Sequence, residues 1–151
     1  MHALAQRVLT KTRKKWLRTR PLFEAFKPVD ASELERIESK VGASLPEDLK
    51  TWLLAVGYGD VDETLSFRYD WFHTIEEGHL RGAVIFAQDI LGNFYAYSPA
   101  NGSILFFARS APEYAIAAAT FEAFMDELER RDFKLVEWMD SLAVLPYDRD
   151  A

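Results

Sequence analysis

Two helix signatures, then a run of short strands, then a further capped helix place this 151-residue chain in the α+β class. The first observation is apolar spacing of three and four between Leu34 and Val56. The second is alternation of apolar and polar residues from Leu65 to Trp71, followed by short apolar runs up to Phe107. Asn101-Gly102 marks a hairpin between two of those runs. The third is a return to helical spacing at Thr120. Apolar residues make up 49% of the chain and aromatics 14%, enough to fill one hydrophobic core.

Taken in order, residues 4–19 read as a basic amphipathic helix. Leu4, Val8, Thr12 and Trp16 fall at spacing four, Leu9 and Leu17 lie beside them, and Lys and Arg fill the rest. Such a helix is expected to pack Trp16 on the domain or to lie across its acidic surface. Nucleic-acid or membrane contact would suit the same pattern, as would an Arg-rich, acid-free transit peptide. Pro21 and Pro28 bracket a connector. Residues 1–28 are thus read as an arm, and 29–151 as a single domain.

Ser32-Glu33-Leu34-Glu35 has the form of a capping box and opens a helix with Leu34, Ile37 and Val41 on one side, closed by Gly42. Pro46 opens the next helix, with Glu47 and Asp48 facing the positive end of its dipole. Leu49, Trp52, Leu53 and Val56 form its buried stripe, and Gly57 and Gly59 end it. Residues 65–71 then read as one half-buried strand, and Ala83–Ala87 as a fully apolar one. Phe94–Tyr97, Ile104–Phe107 and Tyr114–Ile116 follow, separated by turns at Asp89–Gly92 and Pro99–Gly102. Thr120 caps a helix carrying Phe121, Phe124, Met125 and Leu128, and a last helix is expected over Lys134–Leu142.

The chain has no cysteine, so thiol catalysis, disulfides and Cys-based zinc sites are excluded. No run approaches the roughly 18 apolar residues of a membrane helix, and no signal-peptide core is visible. A cytoplasmic protein is expected. The net charge of −6 conceals a split: residues 1–20 carry seven bases and no acid, leaving 11 bases against 24 acids, a net −13, in the rest. An acidic body repels nucleic-acid phosphates and attracts basic proteins. Direct nucleic-acid contact is therefore expected only through residues 1–20, and no membrane partner is expected.

Catalytic signatures are missing from the chain's local motifs. His73 and Glu76 would be neighbours on a helix, but His79 falls on the opposite face and Gly78 interrupts the segment. The stretch is read as a polar connector, and no metal or cofactor is assigned. Asp60, Asp62 and Glu63 lack the remaining acids of a calcium loop. No glycine spacing makes a phosphate cradle, and no serine sits in a nucleophile elbow. Asp89 is read as a turn residue bonding nearby N–H groups. A catalytic site assembled from distant residues would show as a perturbed carboxylate or histidine in a cleft. Between residues 60 and 79, the acids Asp60, Asp62, Glu63, Asp70, Glu76 and Glu77 meet only Arg68. Together with Trp71 they are the candidate partner-binding residues, as a docking surface for a basic protein or as an ordinary solvated loop.

Three stretches in fixed order carry a family resemblance. They are Leu45-Pro46-Glu47-Asp48-Leu49 with Trp52, then Asp89-Ile90-Leu91-Gly92-Asn93-Phe94-Tyr95-Ala96, then Thr120-Phe121 with Phe124. Together they resemble the SUKH superfamily, in its branch of yeast cell-wall-assembly-regulator-like (SMI/KNR-like) domains, over about residues 30–130. Val56-Gly57-Tyr58-Gly59 stands where members often carry Asn-Gly, and Leu91 and Asn93 where a second glycine and an acid are common. The resemblance implies helices packed on one side of a mainly antiparallel sheet. It also implies a non-catalytic role, since many bacterial members are immunity proteins that neutralise a toxin. From the acidic charge, the expected partner is a basic toxin domain such as a nuclease, its cleft occluded. The alternative is an intracellular scaffold or regulatory module.

Overall fold

A computed structural model describes residues 1–148. The basic amphipathic stretch does not make one helix. Helix α1 (His2–Thr10) buries Leu4, Ala5 and Val8 and then stops, Lys11 turning extended. Thr12–Lys15 (β1) pairs antiparallel with Arg18–Pro21 (β2) as a hairpin. A continued helix would have set Lys11 above Lys15 and Lys14 above Arg18, like charges one turn apart. The hairpin instead brings Arg13 and Arg20 opposite one another, where both reach Asp62. Trp16, expected to pack on the domain, lies at the tip and is 92% exposed. Residues 1–28 also feed the main core. Leu22 and Phe23 are buried with the helix residues, and Phe23–Lys27 (β3) is an edge strand of the large sheet.

Helix α2 (Ala31–Val41) buries Leu34, Ile37 and Val41 as its spacing requires. Its cap is Asp30, not Ser32: the Asp30 carboxylate accepts from Glu33 N–H at 2.9 Å and from the Ser32 hydroxyl at 2.8 Å. A carboxylate serves the helix dipole as well as the orphan donor, so it displaces the serine from that role. Helix α3 (Glu47–Val56) buries Leu49, Trp52, Leu53 and Val56. Gly57 ends it, but Gly59 belongs to a strand, β4 (Tyr58–Val61). There β3 crosses so closely that a Cβ on residue 59 would lie 2.3 Å from the Glu24 carbonyl.

The alternation over 65–71 is interrupted. Strand β5 (Leu65–Phe67) gives way to a 3-10 turn at Tyr69–Trp71, and pairing resumes at β6 (His73–Thr74). Both β5 and β6 lie along one edge of β7 (Val84–Asp89). From there β8 (Phe94–Tyr97), β9 (Ile104–Phe107) and β10 (Glu113–Ala118) form a meander. Helices α4 (Phe121–Arg130) and α5 (Leu135–Asp140) follow, and β11 (Leu145–Pro146) returns to the edge beside β10. The spatial order is β11-β10-β9-β8-β7-β5-β4-β3, and every pairing is antiparallel among the described residues.

Alternation along β7–β10 divides the sheet into two apolar faces. One carries Val84, Phe86, Tyr95, Tyr97, Phe106 and Ala115 and packs with the helix stripes in the main core. The other carries Ala83, Ala96, Leu105 and Phe107, with Ile85, Phe94, Tyr114 and Tyr147 against them; among the described residues no helix residue joins this cluster. This is the expected α+β arrangement, with helices on one side.

Candidate functional site

The three signature stretches converge on the helix-covered face. Asp48 sits in the first turn of α3, where Oδ1 accepts from Leu49 N–H and Oδ2 from Glu122 N–H in the first turn of α4, both at 2.9 Å. One carboxylate thus serves two helix N-termini, each of which favours negative charge. Trp52 packs its ring edge-on to Phe121 at 6.2 Å and tilted on Phe67 at 5.7 Å. Asp89, only 7% exposed, holds the middle stretch together. Its Oδ1 accepts from Leu91 and Asn93 N–H at 2.9 and 3.0 Å, and its Oδ2 from the Tyr95 hydroxyl at 2.9 Å. Tyr95 in turn packs on Phe124 at 5.7 Å. Burial and the adjacent Asp89 carboxylate both push the Tyr95 phenol well above its ordinary range. Trp52, Tyr95, Phe121 and Phe124 are buried in the main core, and the Trp52 indole N–H alone among these side chains lacks a hydrogen-bond partner. Their packing and hydrogen bonds join α3, the Asp89 turn and α4.

The helix-free face carries a groove of about 360 Å³ across β7, β8 and β9. Its floor is Ile85, Phe94 and Phe107, and Tyr147 walls one side. Phe107 and Tyr147 meet edge-on at 5.7 Å, and the Tyr147 hydroxyl donates to the Glu77 carbonyl at 2.9 Å. The rim bears Glu76, Glu77 and Glu113, with Arg109 as the opposing cation. His79 lies outside the groove. Its ring packs between Tyr114 and Tyr147, and its Nδ1 accepts from Asp148 N–H at 3.1 Å. It is a fastener for the C-terminal segment. No group of three metal-ligating side chains occurs among the described residues.

The seven candidate residues do not form one surface. Glu76 and Glu77 reach the groove rim. Asp60 lies in β4 and accepts from the Ser66 hydroxyl on the neighbouring strand. Asp62 is held by Arg20 at 2.9 Å and Arg13 at 3.4 Å, and Glu63 lies 3.4 Å from Arg20. The basic N-terminal segment thus neutralises part of the acidity that a linear reading leaves uncompensated. Asp70 is exposed on the 3-10 turn. Trp71 is half-buried beside Arg68, whose guanidinium also covers Phe26 at 4.0 Å. Glu113, Tyr147 and Arg109 are groove residues that local sequence could not single out, because each lies more than 30 positions from Glu77. Phe94 and Ala96 alternate along β8 with Tyr95 and Tyr97, which sends the two pairs to opposite faces of the sheet.

Among the described residues, carboxylates whose affinity for protons is clearly shifted are all driven down, and none of them lines the groove. Hydrogen bonds from Arg7 hold Glu129 low, Arg13 does so for Asp132, and Arg130 and Arg131 bring Glu127 to about 2. Backbone donation from Glu33 lowers Asp30. These are clamps and caps on the outside of the fold. What the groove offers is an apolar, aromatic floor with a mainly anionic margin.

No helix among the described residues is long and apolar enough to cross a membrane. No curated protein and no solved structure shows a significant match to the chain. The model of the SMI1 / KNR4 family (SUKH-1) matches residues 28–127, from the end of β3 to α4, about two-thirds of the chain. That span holds all three convergent stretches and the strands that floor the groove, and the chain belongs to the SMI1 / KNR4 family (SUKH-1).

Proposed function

We propose that this chain is a non-catalytic, cytoplasmic protein-binding domain of the immunity type, which covers the active cleft of a cognate toxin with the helix-free face of its sheet. The observation that carries this reading is the groove, an aromatic floor held on rigid strands and rimmed by Glu76, Glu77 and Glu113. Aromatic side chains on strands give large contact area with little rotamer freedom to lose. A carboxylate rim steers a basic partner and excludes acidic ones. A nuclease domain, with its cationic cleft, fits that charge. Asp62 is occupied by Arg13 and Arg20 and serves the hairpin.

The partner is sought as the C-terminal domain of a large secreted protein encoded beside this chain. Association is followed by stopped flow at several salt concentrations. Glu76→Lys with Glu77→Lys should slow association by about tenfold or more and flatten its salt dependence. Unchanged on-rates would remove the charge-steered groove. Absence of inhibition of the partner by the bound wild-type chain would remove the occlusion role.

A further inference from the structure

The β1–β2 hairpin lies outside the stretch that matches the family model and has no part in the partner-binding reading. Lys15 pairs with Arg18, so Trp16 and Leu17 alone form the reversal. Each is 92% exposed, more than any other large apolar side chain among the described residues. Trp16 takes φ 57°, a left-handed conformation that two-residue hairpin turns normally give to Asn or Gly. Both solvation and turn chemistry therefore oppose these two residues at this place. The hairpin beneath them is firmly held: Arg13 donates to Asp132 at 2.7 Å and Arg20 to Asp62 at 2.9 Å. An apolar tip on a braced support loses little freedom when it docks. Lys14 and Arg18, both exposed, give it a cationic collar.

One surface of the molecule complements that tip in shape and charge. The groove is concave and apolar, and its rim is anionic through Glu76, Glu77 and Glu113. Tip residues line a separate depression with Glu24 and Glu63 and do not reach the groove of their own chain. We propose that the Trp16-Leu17 tip of one copy docks in the groove of a second copy. An anionic membrane or a nucleic acid suits the tip less well, because the remainder of the chain carries −13 and would be repelled. The exposed Lys14 and Arg18 at the tip and the glutamates at the groove rim favour a head-to-tail contact. Such a contact is heterologous: each copy in a row uses its tip on one neighbour and its groove on the other, giving rings or open chains. It occupies the same groove as the toxin, so assembly and toxin binding exclude one another. It borrows the groove from the reading above but needs no toxin, so the two can fail separately.

Sedimentation velocity on the full chain tests this. The wild type should gain mass with concentration and lose it as salt screens the collar and rim. Trp16→Ala with Leu17→Ala, and separately Glu76→Lys with Glu77→Lys, should each weaken association by about 30-fold or more, as loss of a central anchor does. Because both pairs are solvent-facing, circular dichroism should show each variant folded. The decisive arm mixes the two variants. The first keeps its groove and the second its tip, so together they should form a complex of two copies that grows no further. A wild type that stays monomeric at every concentration overturns the proposal. So does association that the mixture fails to restore, or tip-dependent binding to phosphatidylglycerol vesicles or an oligonucleotide in place of self-association.

Discussion

Asp89→Ala removes a carboxylate that accepts from two backbone N–H groups, the Asn93 amide and the Tyr95 hydroxyl. The turn's N–H groups stand near the surface and can turn to water, so their loss is partly replaced. The Tyr95 side chain is fully buried, and its hydroxyl would be stranded. A charged hydrogen bond contributes about 1.5–3 kcal/mol and a stranded buried donor costs about 1–3 kcal/mol, so the expected loss is about 3 kcal/mol. For a domain of this size that lowers the melting temperature by about 6–12 °C. Tyr95→Phe alone should cost about 1.5 kcal/mol, since Asp89 keeps its other donors. In the Asp89→Ala background the same change should cost almost nothing, because no hydroxyl is left to strand. The cycle, measured by urea unfolding with unchanged slope, should therefore return a coupling of about 1–2 kcal/mol. Additivity within about 0.5 kcal/mol would refute the assignment of this contact as the support of the turn.

Acid should release the N-terminal segment before it melts the sheet. Glu129 and Asp132 clamp α1 and the hairpin through Arg7 and Arg13, and both have folded values below their ordinary ones. Their stabilisation is therefore complete above the ordinary carboxylate range of about pH 4.5 and is lost as the pH falls through their lowered folded values. Amide exchange should show α1 losing protection in that window ahead of β7–β9; simultaneous loss would contradict the clamp. Gly59→Ala would force a methyl to within 2.3 Å of the Glu24 carbonyl and 2.7 Å of the Phe23 ring. It should cost about 1–3 kcal/mol and expose the amides of β3, whereas a variant as stable as wild type would show that β3 does not cross there.

The candidate site was legible only in part. Residues 60–77 are continuous in sequence, but their acids scatter. Asp60 and Asp62 are occupied by Ser66 and by the arginines of the hairpin, while Glu76 and Glu77 stand on the groove. A charge count along a chain cannot foresee an ion pair such as Arg13–Asp62, which spans 49 positions and depends on where β1 folds back. Glu113 and Tyr147 join Glu77 only because β10 and β11 pair at the far edge of the sheet.

What local sequence determined about this protein are the features whose physics is local. The stripes of α2, α3 and α4, the turn at Asp89 and the cap at Thr120 follow from side-chain period and from donors a few residues away. The ordered motifs likewise carried the family and the α+β class. Tertiary structure decided the rest. It stopped the basic helix at Thr10, where folding back let Arg13 and Arg20 meet acids that an extended helix would have left behind. It ended the 65–71 strand at Phe67 and brought His73–Thr74, beyond the 3-10 turn, to the same edge of β7. It also left Phe94 and Phe107 on a face that no helix covers among the described residues, because which side of a sheet is buried depends on the elements packed against it. Periodicity along a strand separates two faces but carries no information about which of them meets water.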